Sequence, residues 1–172
     1  MLYPQSGDHS SHAQSELKLA LWQIQADNTT SPELYAWLVK SGLPHNVAIL
    51  LHELISKTKR VGKKTINIGK IILIKIIDFV KAHPFLVSGI GIGATIGTAI
   101  ITLITSIPLI GQLLSPIALA LGITVTISGA IIGHNLDKRF SGITNDIIEI
   151  SQHFFTLIVG VFKTIFTQPG FA

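Results

Sequence analysis

Seven histidines, at positions 9, 12, 45, 52, 83, 134 and 153, are the side chains best suited to metal or proton chemistry. A zinc hydrolase needs two histidines one helical turn apart with a glutamate between them, and although Glu53 follows His52, no second histidine stands at that spacing. Asp8, His9 and His12 crowd a polar terminus, where solvation explains them better than weak metal binding. The absence of cysteine removes thiolate nucleophiles, zinc-thiolate sites and disulfides. No serine sits in a G-x-S-x-G elbow, and the few carboxylates are dispersed. The glycines of Gly91-Ile92-Gly93-Ala94-Thr95-Ile96-Gly97 approach a dinucleotide loop, but the last interval is one residue too long and no acid follows at the usual offset. Neither an enzyme nor a cofactor or metal site is expected.

The cations are a different matter, because eight of the thirteen Lys and Arg lie between Lys57 and Lys81, against the single acid Asp78. At ~100° per residue, Arg60, Lys63, Lys64, Lys70, Lys75 and Lys81 fall on one side of a helix over residues 57–82. The other side carries Ile68, Ile72, Leu73, Ile76, Phe79 and Val80, with Ile71 and Ile74 intruding on the polar face. Such a helix suits an anionic membrane surface. Nucleic acid is the poorer partner, since the cluster lacks interleaved aromatics.

What the cations flank explains the preference. No Asp, Glu, Lys or Arg occurs from Ala82 through Leu136. Across the 172-residue chain, hydrophobic residues make up 48% and charged residues 13%, about half the roughly 25% usual in soluble proteins. The interval divides at Pro108-Leu109-Ile110-Gly111 and Ser115-Pro116 into two arms, Phe85–Ile107 and Leu113–Gly133. As helices they would extend about 35 Å and 31 Å, enough to cross a hydrocarbon layer of about 30 Å. Insertion of the first is moderately favourable, at about −3 to −7 kcal/mol before Gly, Ser and Thr are counted. Lys75 and Lys81 before the interval, with Lys138 and Arg139 after it, place both termini in the cytoplasm. These cations, with Arg60, Lys63, Lys64 and Lys70, are the candidate lipid-headgroup contacts.

Small residues are patterned within the arms. Gly89, Gly93 and Gly97 recur every four residues and resemble the glycine zippers of membrane helices. In the second arm Gly122, Gly129 and Gly133 share a face with Ser115, Ala118 and Thr126, so the six glycines are candidate helix-packing positions. Ser88, Thr95, Thr98, Thr102 and Thr105 form a stripe opposite the first zipper. Those hydroxyls either bond their own i−4 carbonyls and face lipid or a neighbour, or line a wet pore in an oligomer.

The remaining segments read as follows. Residues 1–13 resemble an unpacked, disordered tail with no cleavable signal. Residues 14–56 form a helical cytoplasmic head of three helices, the second opening at Ser31-Pro32-Glu33 and closing at Gly42 and Pro44. Trp22, Tyr35 and Trp37 belong to the head's core or to a protein partner's contact. Residues 135–172 hold a loop and a C-terminal amphipathic helix whose uncharged run is short for a span.

The expected fold class is therefore all-α: a membrane protein with a two-helix transmembrane hairpin over 83–134, a small helical head, a basic amphipathic helix and a C-terminal amphipathic helix. The pattern of residues 85–133 resembles the hydrophobic hairpins of pore-forming bacteriocins, which implies a soluble form that conceals the hairpin until triggered. The leading expectation is a homo-oligomeric protein of the bacterial inner membrane that forms a pore or permeabilises the bilayer. The competing one is a non-conducting anchor that recruits a protein through its head.

Overall fold

The computed structural model describes residues 3–125, 131–134 and 145–166. Among the described residues the chain is all-α apart from two small ribbons. Helices α1 (Tyr3–Asn28), α2 (Ser31–Lys40) and α3 (His45–Glu53) lead through a 3-10 turn, Leu54–Ser56, to strands β1 (Lys59–Val61) and β2 (Lys64–Ile66). Then follow α4 (Ile68–Ala82), α5 (Pro84–Ile90), α6 (Ile92–Ser106), a 3-10 turn at Pro108–Ile110, α7 (Gly111–Ala120), β3 (Ile123–Val125), β4 (Ile131–His134) and α8 (Asn145–Phe166).

Local chemistry accounts for several boundaries. At the start of α2 the Glu33 N–H donates to Thr30 Oγ1, and the Thr30 N–H donates to Glu33 Oε2, each at 3.2 Å. This reciprocal cap makes Thr30, rather than Ser31, the capping residue, with Pro32 in the first turn. Gly42, at φ +87, ends the following turn in a conformation that favours glycine.

Four expectations are corrected. The supposed tail enters α1 at Tyr3, so the backbone of residues 3–13 is helical. The stretch 57–82 is not one amphipathic helix, because Lys59–Val61 pairs antiparallel with Lys64–Ile66 around Gly62 and Lys63. Gly62 takes φ +62, which suits the first position of a two-residue hairpin turn and would be out of place in a helix. The first arm breaks at Gly91, where φ is +92, and α5 meets α6 at 115°. The second arm is helical only to Ala120, after which Gly122, at φ +87, turns the chain into β3.

A single apolar cluster runs from Leu19 in α1 through Leu38, Leu51, Ile72 and Ile100 to Phe162 in α8, and so includes the head. Its centre is α6, where every residue from Ala94 to Ile104 is buried. Helices α4, α5, α7 and α8 pack around it. The surround explains why Ile71 and Ile74 interrupt the polar face of α4: both are buried, together with Ile72, Leu73, Ile76 and Phe79. By length and composition α8 is long and apolar enough to cross a membrane, and α5 with α6 would be a second such segment only as one span.

The N-terminus of α4 passes close under the 3-10 turn at Leu54–Ser56. A Cβ on Gly69 would collide with the Leu54 carbonyl oxygen and lie 2.8 Å from Lys57 Cβ. Gly69→Ala is therefore expected to lower unfolding stability by about 2–3 kcal/mol despite alanine's better helix propensity, as read by urea denaturation.

Candidate membrane-active segment and basic ribbon

The hydroxyl stripe is divided by its surroundings. Thr95, Thr98 and Thr102 are buried, while Ser88 and Thr105 are exposed. Thr95 Oγ1 donates to the Gly91 carbonyl at 2.7 Å, Thr98 Oγ1 to Ala94 at 2.9 Å and Thr105 Oγ1 to Ile101 at 2.8 Å. These are the i−4 bonds that let a hydroxyl sit in an apolar setting. Thr102 does more, donating to Ser151 Oγ of α8 at 2.7 Å, while Ser151 Oγ reaches the Thr98 carbonyl at 3.5 Å. In this arrangement the buried stripe faces α8 rather than water. Sequence reading missed Ser151, because a lone serine 49 residues away carries no periodic signal tying it to α6.

The candidate packing glycines are not brought onto one face. Gly89 lies in α5 and Gly93 and Gly97 in α6, on opposite sides of the 115° bend. A Cβ on Gly97 would meet Ile123 Cδ1 of β3 at 3.9 Å, an ordinary contact, and one on Gly89 would meet nothing within 4 Å. Gly122 follows α7 in a turn and Gly133 belongs to β4, where it pairs with Thr124. Gly129 lies outside the described residues, as do Lys138 and Arg139.

The cations separate into two groups. Arg60, Lys63 and Lys64 are exposed on the β1–β2 ribbon. The ribbon is too short to persist alone and is tied to α1: the Asn67 N–H donates to Gln23 Oε1 at 3.1 Å, and Asn67 Nδ2 to Asp27 Oδ1 at 3.2 Å. Lys70, Lys75 and Lys81 lie on α4, of which only Lys81 is fully exposed. Lys75 Nζ stands 4.9 Å above the Trp22 ring and 3.5 Å from Gln25 Oε1, so it holds α1 to α4 instead of reaching outward. Desolvation lowers the Lys75 pKa, opposed by the charge of Asp78. Desolvation likewise raises that of Asp78, against the attraction of Lys75 and then Lys81.

Aromatic side chains close the opposite junction. Phe79 packs against Phe154 and Phe155 with centroids 5.3 and 5.4 Å apart, and His83 stacks on Phe79 at 4.6 Å. His83 Nδ1 lies 2.8 Å from the Phe79 carbonyl, so this histidine caps α4. Trp22 meets Phe162 edge-on at 6.0 Å and is half-buried, as is Trp37, while Tyr35 is exposed against His52. Among the described residues no group of histidines and carboxylates could hold a metal ion. No family model matches the chain, nor does any curated protein or solved structure.

Two outcomes follow from these contacts. Thr102→Val deprives Ser151 of one of its two partners and should cost about 1 kcal/mol, whereas adding Ser151→Ala should cost less than the sum of the single changes, because no polar atom is then stranded. A urea-denaturation double-mutant cycle measures the difference. For Asp78, the raised pKa means that the folded chain holds the proton more tightly than the unfolded one. This contribution is fully present at low pH and lost as pH rises through the folded-state value. Asp78→Asn should thus gain stability relative to the native chain between about pH 3 and pH 7, by no more than about 1 kcal/mol for this half-exposed group. Urea midpoints of both proteins across that range supply the check.

Proposed function

We propose that the protein is membrane-active, holding an insertable apolar segment inside its own helical shell and releasing it into a bilayer to permeabilise it. The observation that carries this reading is the burial of the uncharged α6 from Ala94 to Ile104, with Gly91 the sole break between it and α5. With Gly91 straightened, Pro84 to Ser106 would form one helix of about 34 Å, long enough for a hydrocarbon layer of about 30 Å. Phe85, already 58% exposed, would lead it. Gly91 combines φ +92 with ψ 162, a conformation that glycine adopts without steric cost, so the same residue can sit in the bend or in a continuous helix. Self-association of the released segments through Gly89, Gly93 and Gly97, which then share a face, would make the pore. The thread of basic residues before the segment favours the cytoplasmic face of the membrane.

A second reading is favoured by one surface. Pro32, Tyr35, Ala36 and Val39 of α2 and His52 of α3 line an open, almost wholly apolar groove in the head. Such a groove suits recruitment of a protein partner by a non-conducting anchor.

The two readings separate on a reversible lock. Because Thr102 and Ser151 hydroxyls lie 2.7 Å apart and the native chain has no cysteine, Thr102→Cys with Ser151→Cys would tie α6 to α8. Dye release from phospholipid vesicles should be abolished in the oxidised protein and restored by reductant. Release that is unaffected by the lock refutes the opening of α6 from α8. No release by the native chain under any lipid composition leaves the anchor.

A further inference from the structure

The basic ribbon and the turn between α6 and α7 enclose a cavity of about 340 Å³, within the roughly 300–1,000 Å³ range of small-ligand sites. Its rim carries Lys57 and Lys59, its wall Leu109, Ile110, Leu113 and Pro116, and among the described residues no carboxylate contributes to it. Two of its features are fixed by backbone. The Gly69 N–H donates to the Lys57 carbonyl at 3.0 Å, holding Lys57 against the start of α4. The ladder pairs Lys59 with Ile66, which is buried, so Lys59 lies on the ribbon's inner face while Arg60, paired with Thr65, lies on the outer. Beyond the rim, Arg60, Lys63 and Lys64 extend the charge, and no acid occurs from Leu54 to Ile77. Leu109, 50% exposed, and Pro116, also exposed, line the same cavity as Lys57 and Lys59.

We infer that this cavity binds one anionic phospholipid of a bilayer surface, its phosphate between Lys57 and Lys59 and the upper part of an acyl chain along Leu109, Leu113 and Pro116. The pairing of cations with aliphatic wall is what selects the ligand. Inorganic phosphate would leave the apolar wall wet, and a nucleic acid would find no aromatic platform among the described lining residues. A phospholipid satisfies both halves at once, and Arg60, Lys63 and Lys64 then meet neighbouring headgroups. The site rests on the membrane reading above in that it would bring the closed protein to the bilayer, but it acts before any opening.

The full chain is tested by co-sedimentation with vesicles of phosphatidylcholine alone and of phosphatidylcholine mixed with phosphatidylglycerol. Binding should require phosphatidylglycerol. Lys57→Gln and Lys59→Gln should each weaken it about fivefold, and the pair about 25-fold, while Lys18→Gln with Lys40→Gln changes it by less than about twofold. Leu109→Trp should show blue-shifted emission over the native tryptophans and quenching by brominated phosphatidylglycerol, a readout that a purely electrostatic contact would not give. Circular dichroism melting verifies that each variant is folded. Equal losses in the control pair, absence of quenching at position 109, or displacement of vesicles by millimolar inorganic phosphate or by an oligonucleotide would each overturn the site. The oxidised Thr102→Cys/Ser151→Cys protein should still bind, and binding of the native chain without dye release would leave the site standing while the permeabilising reading falls.

Discussion

The fold depends on keeping one long neutral stretch away from water. From Ala82 through Leu136 the chain offers no charge with which to make a solvated surface. The structure meets that constraint by placing α6 at the centre and wrapping it in α4, α5, α7 and α8. The wrapping helices acquire their character from the task. Helix α4 turns nearly all its aliphatic residues inward and is left with a narrow polar edge, and α8 turns Ser151, Phe155, Ile158, Phe162 and Ile165 to the same centre. The head is drawn in as well, through Trp22 on Phe162 and Lys75 above Trp22. Burial of apolar surface is non-directional, so it sets what must be covered without dictating which helix does the covering.

Much of this was legible in the residues, and the failures share a cause. The neutral interval, the three head helices, the stop at Gly42 and the apolar face of α4 follow from composition, periodicity and capping, all of them local. Gly91 illustrates the limit. Within a run of glycines spaced by two and four, the same residue serves equally as a small contact in a continuous helix or as a left-handed break, and only packing against the rest of the chain selects between them. The ribbon was missed because strands of three residues are shorter than any periodic signal, and five cations among eight residues from Lys57 to Lys64 suggested a helix face instead. Of the hydroxyl stripe, Thr95, Thr98 and Thr102 are buried along α6, and what lies across Thr102 is a residue of α8, which no spacing within α6 could name.

Relocating the cations changes their physical meaning. On a helix lying flat, they would have formed a row parallel to the apolar face, spread along its length. With Arg60, Lys63 and Lys64 on the ribbon, charge is concentrated before α4, and Lys57 and Lys59 line one cavity with the exposed Leu109 of the turn that follows α6. Charge and aliphatic surface thus coincide at the turn midway along the neutral stretch, where attraction to an anionic surface and partition into its hydrocarbon edge reinforce each other. Lys75 and Asp78, by contrast, are occupied within the fold, and their desolvation shows in pKa displacements away from the charged forms.

The hydrogen bonding of α6 bears most directly on whether it can change its medium. A helix held in its shell by many directional side-chain bonds would strand donors and acceptors on leaving, each costing about 1–3 kcal/mol or more in hydrocarbon. Here Thr95, Thr98 and Thr105 already donate to carbonyls of their own helix, and Thr102 lies 3.0 Å from the Thr98 carbonyl, so it can do the same when Ser151 withdraws. Among the described residues no buried side-chain nitrogen or oxygen lacks a partner. What binds α6 to α8 beyond the bonds of Ser151 to Thr102 and to the Thr98 carbonyl is contact between aliphatic and aromatic surfaces, which lipid chains can replace almost equivalently. A segment whose polar groups are satisfied internally and whose remaining contacts are apolar is as suited to hydrocarbon as to a protein core, and the balance between the two is then set by how the surrounding helices fare when they part.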